Sequence, residues 1–103
     1  MATRKEILRQ EAIARLREHV TSGTLLRFVR LTPSSFRVYV VGEKHSVMLT
    51  RFIATACGYR YNDRNRSETV IVSGHGYNEQ AHILRKVSQA IGVESSKLFY
   101  EDL

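Results

Sequence analysis

The chain has 103 residues, enough for one modest hydrophobic core and too few for two domains. Its 43% hydrophobic and 25% charged residues exclude wholesale disorder, and no apolar run approaches the roughly 20 residues that span a bilayer. Sixteen Lys plus Arg against ten Asp plus Glu give a net charge of +6, and the lone cysteine, Cys57, excludes an internal disulfide and fits a reducing, cytoplasmic setting.

Charges are mixed into "MATRKEILRQEAIARL" from the start, so this stretch does not read as a signal peptide. It reads instead as a helix over residues 3–21. Leu8, Ala12, Leu16 and Val20 recur every four residues, flanked by Ile7 and Ile13, with Arg4, Lys5, Glu6, Arg9, Glu11, Arg15 and Glu18 on the other side. Thr3 is placed to cap it with Glu6 as the capping-box partner, and Gly23 to end it.

Residues 24–42 carry two segments rich in β-branched and aromatic residues, "TLLRFVRL" and "SFRVYVV", joined by the turn-prone "TPSS". They predict an antiparallel hairpin with Phe36, Val38 and Val40 on one face and Arg37, Tyr39 and Val41 on the other. Over 46–57, "SVMLTRFIATAC" puts Met48, Leu49, Phe52, Ile53 and Ala56 at helical spacing, with Ser46 as a cap and Gly58 as the stop. A second hairpin is expected over 59–73, from "YRY" and "ETVIVS" around the polar "NDRNRS", and a third helix over 78–91. Residues 93–103 are left as a tail that docks Leu98 and Phe99. The expectation is one α+β domain, residues 1–103, in the order α-β-β-α-β-β-α, with a four-stranded, mainly antiparallel sheet packed against helices.

The charge is unevenly placed. Residues 27–66 hold eight basic side chains (Arg27, Arg30, Arg37, Lys44, Arg51, Arg60, Arg64 and Arg66) and two acidic ones (Glu43 and Asp63), whereas the rest of the chain holds eight of each. Such an asymmetry points to a negatively charged partner; a solvated basic surface is the plainer alternative. Aromatics alternate with these arginines, a pattern that serves stacking on bases and also describes any amphipathic strand.

A catalytic centre finds little support. His75 and His82 are seven apart, with neither Cys57 nor Asp63 at a spacing that builds a zinc site. Cys57 ends the most apolar helix, where an inert thiol is usual, and Ser73 lacks a nucleophile elbow. No cofactor is expected.

Anion binding fits "SGHGYN" better. A strand that runs through Gly74-His75-Gly76-Tyr77-Asn78 into a helix offers free N–H groups at the positive end of the helix dipole; equally, the two glycines only shape the turn while Asn78 caps the helix. On a helical wheel Ile83, Leu84, Val87, Ala90 and Ile91 form the core face, and His82 falls outward with Arg85, Lys86 and Gln89.

Two segments, "RFVRLTPSSFRVYVV" and "RFIATACGYRYNDRNRSETVIVSGHGYNEQAHILRKVSQAIG", resemble a family of small, mostly uncharacterised tailed-phage proteins with RSGMSR-like and GYRY…GCGMDMGFH-like segments. Arg27, Arg37, the "GYRY" and His82 match; where the family carries Cys, Met and Asp, this chain has His75, Tyr77 and Asn78. The resemblance implies phage or prophage origin and action inside a bacterial cell.

The expected function is stoichiometric binding through a basic surface, inhibiting a host process or defence system in the manner of anti-CRISPR or counter-defence proteins. The partner is then a host protein or ribonucleoprotein. The alternatives are a nucleic-acid or cyclic-nucleotide binding protein and, third, a small His-dependent nuclease or phosphotransfer enzyme. No membrane partner is expected, and a homodimer stays open. The candidate contact residues are Arg27, Arg37, Arg51, Arg60, Arg64, Arg66, Gly74, His75, Gly76, Tyr77, Asn78, His82, Arg85 and Lys86.

Overall fold

Strand alternation decides the architecture. In the computed structural model, which describes residues 2–42, 44–63, 68–72 and 79–102, β1 (Leu25–Thr32) and β2 (Ser35–Val40) pair antiparallel, with Leu26 opposite Val40, Phe28 opposite Val38 and Arg30 opposite Phe36. Leu26, Phe28, Phe36 and Val38 are buried on one side of the hairpin. Their neighbours Arg27, Val29, Arg37 and Tyr39 lie on the other side and stay half-exposed, as a period of two requires.

The described sheet has six strands rather than four. Its order is β4 (Arg60–Asn62), β5 (Thr69–Ile71), β2, β1, β6 (Phe99–Asp102), and β3 (Val47–Met48) adds to β2 beside the β5 pairing. Both extra strands come from segments expected to do something else. Val47 and Met48 pair with Val40 and Tyr39, so the second helix, α2, starts at Thr50 and runs to Cys57, with Leu49 and not Ser46 as its cap. The tail is also a strand. A 3₁₀ turn at Ser95–Lys97 leads into β6, which runs parallel to β1 with Leu25 opposite Phe99 and Arg27 opposite Glu101. Leu98 is buried as expected, but Phe99 remains 55% exposed, because the parallel pairing turns it to the side away from the helices.

Helix α1 (Arg4–His19) is capped by Thr3, whose hydroxyl accepts from the Glu6 N–H at 3.2 Å. It ends at Val20, which returns to extended backbone; Gly23, at φ +90, serves the turn into β1 instead. The apolar stripe is shorter than its spacing predicts: Ala12, Ile13, Leu16 and Val20 are buried, whereas Ile7 and Leu8 are nearly half exposed. Gly58 ends α2 in the left-handed region at φ 77, its N–H bonded to the Ala54 carbonyl, a conformation that costs a side-chain-bearing residue energy. Helix α3 (Glu79–Ile91) buries Ile83, Leu84, Val87 and Ile91. All three helices share one hydrophobic cluster with Leu26, Phe28, Phe36, Val38, Val70 and Val72. They therefore lie on one side of the sheet, in two layers. No described helix is long and apolar enough to cross a membrane.

Arginines fasten the helix layer. Arg9 donates from Nε to the Ala56 carbonyl at the end of α2, and Arg17 donates from Nε to the Ile91 carbonyl at the end of α3. Each places a cation at the negative end of a helix dipole.

The aromatic contacts on the buried face define the most sensitive position. Phe28 meets Phe36 edge-on at 6.5 Å between centroids and Tyr100 edge-on at 5.6 Å. Phe28→Ala is expected to destabilise the fold by about 3–5 kcal/mol, read from urea unfolding; a loss below about 1 kcal/mol, the level of a mild surface change, would contradict this packing.

Candidate partner-binding surface

The open side of the sheet collects three of the arginines singled out in the sequence. Arg27 on β1 stands opposite Tyr39, and Val29 stands opposite Arg37, which makes Arg27 and Arg37 diagonal neighbours about 7–8 Å apart. Ser35 pairs with Ile71 and Ile71 with Arg60. Arg60 thus lies on the same side, with β4 two strand spacings, or about 10 Å, from β2. Between and beside them are Leu25, Val29, Ile71 and Phe99, half-exposed or exposed.

A carboxylate moderates this charge. Glu101 on β6 accepts from Arg27 Nε at 2.6 Å, with the two side chains 34% and 39% exposed. It is the one acidic side chain on the open side of the described strands. A pair so open to water contributes at most about 1 kcal/mol; its larger effect is to hold the Arg27 guanidinium across the β1–β6 seam. Arg30, by contrast, projects to the helix side, its guanidinium carbon 5.1 Å from the Phe36 ring centroid.

The remaining candidates lie elsewhere. Arg51 is in the first turn of α2 and lines a groove with Leu8, Arg15 and Phe52 on the helix side. Arg85 and Lys86 are exposed on α3. His82 departs from the wheel: it is half-buried, its ring edge-on to Tyr59 with centroids 5.8 Å apart and Nδ1 3.4 Å from the Tyr59 hydroxyl. Tyr59, just before β4, sets its ring against the His82 side of α3. Arg64, Arg66, Gly74, His75, Gly76, Tyr77 and Asn78 lie outside the described residues. The segment 27–66 therefore does not form one basic patch; its described arginines divide between the two sides of the sheet.

Two functional neighbours were not singled out by the sequence. Glu101 sat in a segment lacking strand alternation, and Arg9 sat on the polar side of α1, where nothing local signals that it reaches α2. Near Arg9, burial raises the Cys57 thiol to about 11, outweighing the opposing pull of Arg9 and Lys86. Burial, and then the neighbouring Cys57, also raises the Tyr59 hydroxyl. Both groups are neutral at physiological pH. Among the described residues no three His, Cys, Asp or Glu side chains converge as metal ligands.

The chain matches no protein-family model, no curated protein and no solved structure. The functional reading of this surface therefore rests on its own geometry.

The thiol supplies a direct check on the packing around α2. A shift from 9.0 to about 11 lowers the thiolate fraction at neutral pH about 100-fold. Iodoacetamide is expected to alkylate folded Cys57 correspondingly slower than the urea-unfolded chain; matching rates would mean an ordinary, solvated thiol. The folded chain keeps a proton that the unfolded chain loses, so stability falls as pH rises from 9.0 toward about 11.

Proposed function

We propose that this protein acts by stoichiometric binding, presenting the open side of its sheet to an acidic surface of a protein partner. In this reading it is a phage-encoded accessory protein that blocks a host process or a defence system in a bacterial cell, of the anti-CRISPR or counter-defence type. One observation carries the proposal: Arg27, Arg37 and Arg60 share a sheet face with no described helix over it.

The composition of that face supports a protein partner. Its described strands combine arginines, Tyr39, Phe99 and half-exposed aliphatic residues, and they include no lysine. Arginine and aromatic residues are enriched at protein interfaces, where lysine is depleted. Guanidinium groups pair with carboxylates in planar, two-pronged geometry, and Leu25, Val29 and Ile71 supply apolar area around them. Stacking on single-stranded nucleic acid would use a run of adjacent aromatics. Here Tyr39 on β2 and Phe99 on β6 are separated by β1, which offers Arg27 and aliphatic side chains between them. Electrostatic complementarity of this kind speeds association and selects the partner's surface.

The test is affinity capture from bacterial lysate with the wild-type chain and charge-reversed variants. Arg37→Glu with Arg60→Glu is expected to weaken retention of a stoichiometric protein partner at least about tenfold, while Arg85→Glu with Lys86→Glu retains it. Arg60 is exposed on a short edge strand, so Arg60→Glu alone serves as the variant least able to disturb folding. Equal retention by both variant sets would refute the assignment. Loss of the captured material on nuclease treatment, with a steep salt dependence, would transfer the face to nucleic acid.

A further inference from the structure

On the helix side, α2 ends in a trough between α1 and α3. One part, of ≈ 440 Å³, is bounded by Lys5, Leu8, Arg9, Cys57 and Tyr59; a smaller part, of ≈ 150 Å³, is bounded by Arg9, Cys57, Lys86 and Gln89. Arg9, Ala56 and Cys57 belong to both, so the two parts adjoin along these residues. Three cations and no acidic residue line them. Arg9 lines both parts, with Lys5 bounding the larger and Lys86 the smaller.

Structural duties account for only part of this arrangement. Arg9 satisfies the Ala56 carbonyl through Nε at 3.1 Å, which fixes the guanidinium and leaves its two terminal NH₂ groups to the trough. Lys5 and Lys86 have no such bond among the described contacts. The two groups within the trough able to become anions, the Cys57 thiol and the Tyr59 hydroxyl, stay protonated because burial dominates. Beside the cations lie an exposed Leu8 flank and the Tyr59 ring, and the volume of the larger part is in the range of small-molecule sites.

We propose that this trough binds a small phosphate monoester with an apolar or aromatic body, the phosphate held among Lys5, Arg9 and Lys86 and the body resting on Leu8 and Tyr59. A nucleoside monophosphate meets this description. The site is on the opposite side of the molecule from the sheet face and does not depend on the function assigned to that face.

Calorimetric titration of the full chain with AMP and with inorganic phosphate tests it. AMP is expected to bind, inorganic phosphate to bind at least about tenfold more weakly, and Lys5→Gln with Lys86→Gln to weaken AMP at least about tenfold. Arg37→Glu is expected to leave AMP binding unchanged, and saturating AMP to slow alkylation of Cys57. Both lysines are exposed, and Lys86→Gln alone is the second variant should the double one unfold. The proposal is overturned if AMP gives no binding, if inorganic phosphate binds as tightly as AMP (an adventitious ion only), if the lysine variants bind AMP like the wild type, or if Cys57 alkylation is unaffected.

Discussion

The edge-on contact of Phe28 with Phe36 is the interaction from which the rest of the structure follows. It lies at the diagonal of the β1–β2 hairpin, on the side that the helices cover. A slip of β1 by one residue against β2 would turn Phe28 to water and bring Arg27 into the core, separating the two rings. The same ring receives Tyr100 edge-on from β6, which helps to set the parallel strand beside β1. A line of contacts thus runs from Tyr100 through Phe28 and Phe36 to the Arg30 guanidinium. Three strands and both of their pairings share a single buried side chain.

One-sided burial has a consequence for chemistry. Helices cover one side of the sheet, and strand alternation then commits every second residue of β1, β2, β4 and β5 to the other side. Arginine tolerates that half-wet position well, because its stem packs along apolar neighbours while its guanidinium stays hydrated. The three open-side arginines therefore cost the fold little. They also lie on strands, whose backbone bonds hold their mutual spacing more firmly than a loop would.

Elements with their own periodicity were legible in the residues. The faces of β1 and β2, the Thr3 cap, the Gly58 stop and the core side of α3 are all local patterns, and local physics determines them. Val47–Met48 and Phe99–Asp102 are different. Each is a strand of two or four residues that exists because β2 or β1 offers free N–H and C=O groups at the right distance, and no alternation of their own announces them. The Glu101 pair with Arg27 was hidden for the same reason, since it joins residues 74 apart in sequence. His82 was misplaced by a helical wheel that counts only the helix. Tyr59 approaches its flank, and a ring from outside the helix can half-bury a residue that the wheel assigns to water.

The distribution of charge ties these findings together. The segment 27–66 is basic in sequence, yet its described arginines occupy two sides of the sheet, and on the helix side they are joined by Lys5, Arg9 and Lys86 from outside that segment. A partner lying flat against Arg27, Arg37 and Arg60 has the whole helix layer between it and the trough at the end of α2. The two basic regions are then independent in contact while additive at long range, where only net charge and ionic strength matter. Their separate roles follow from local shape. The sheet side is broad and carries apolar area between its cations, suited to a macromolecular face; the trough is concave and lined by Lys5, Arg9 and Lys86 with no acidic residue, suited to one compact anionic group.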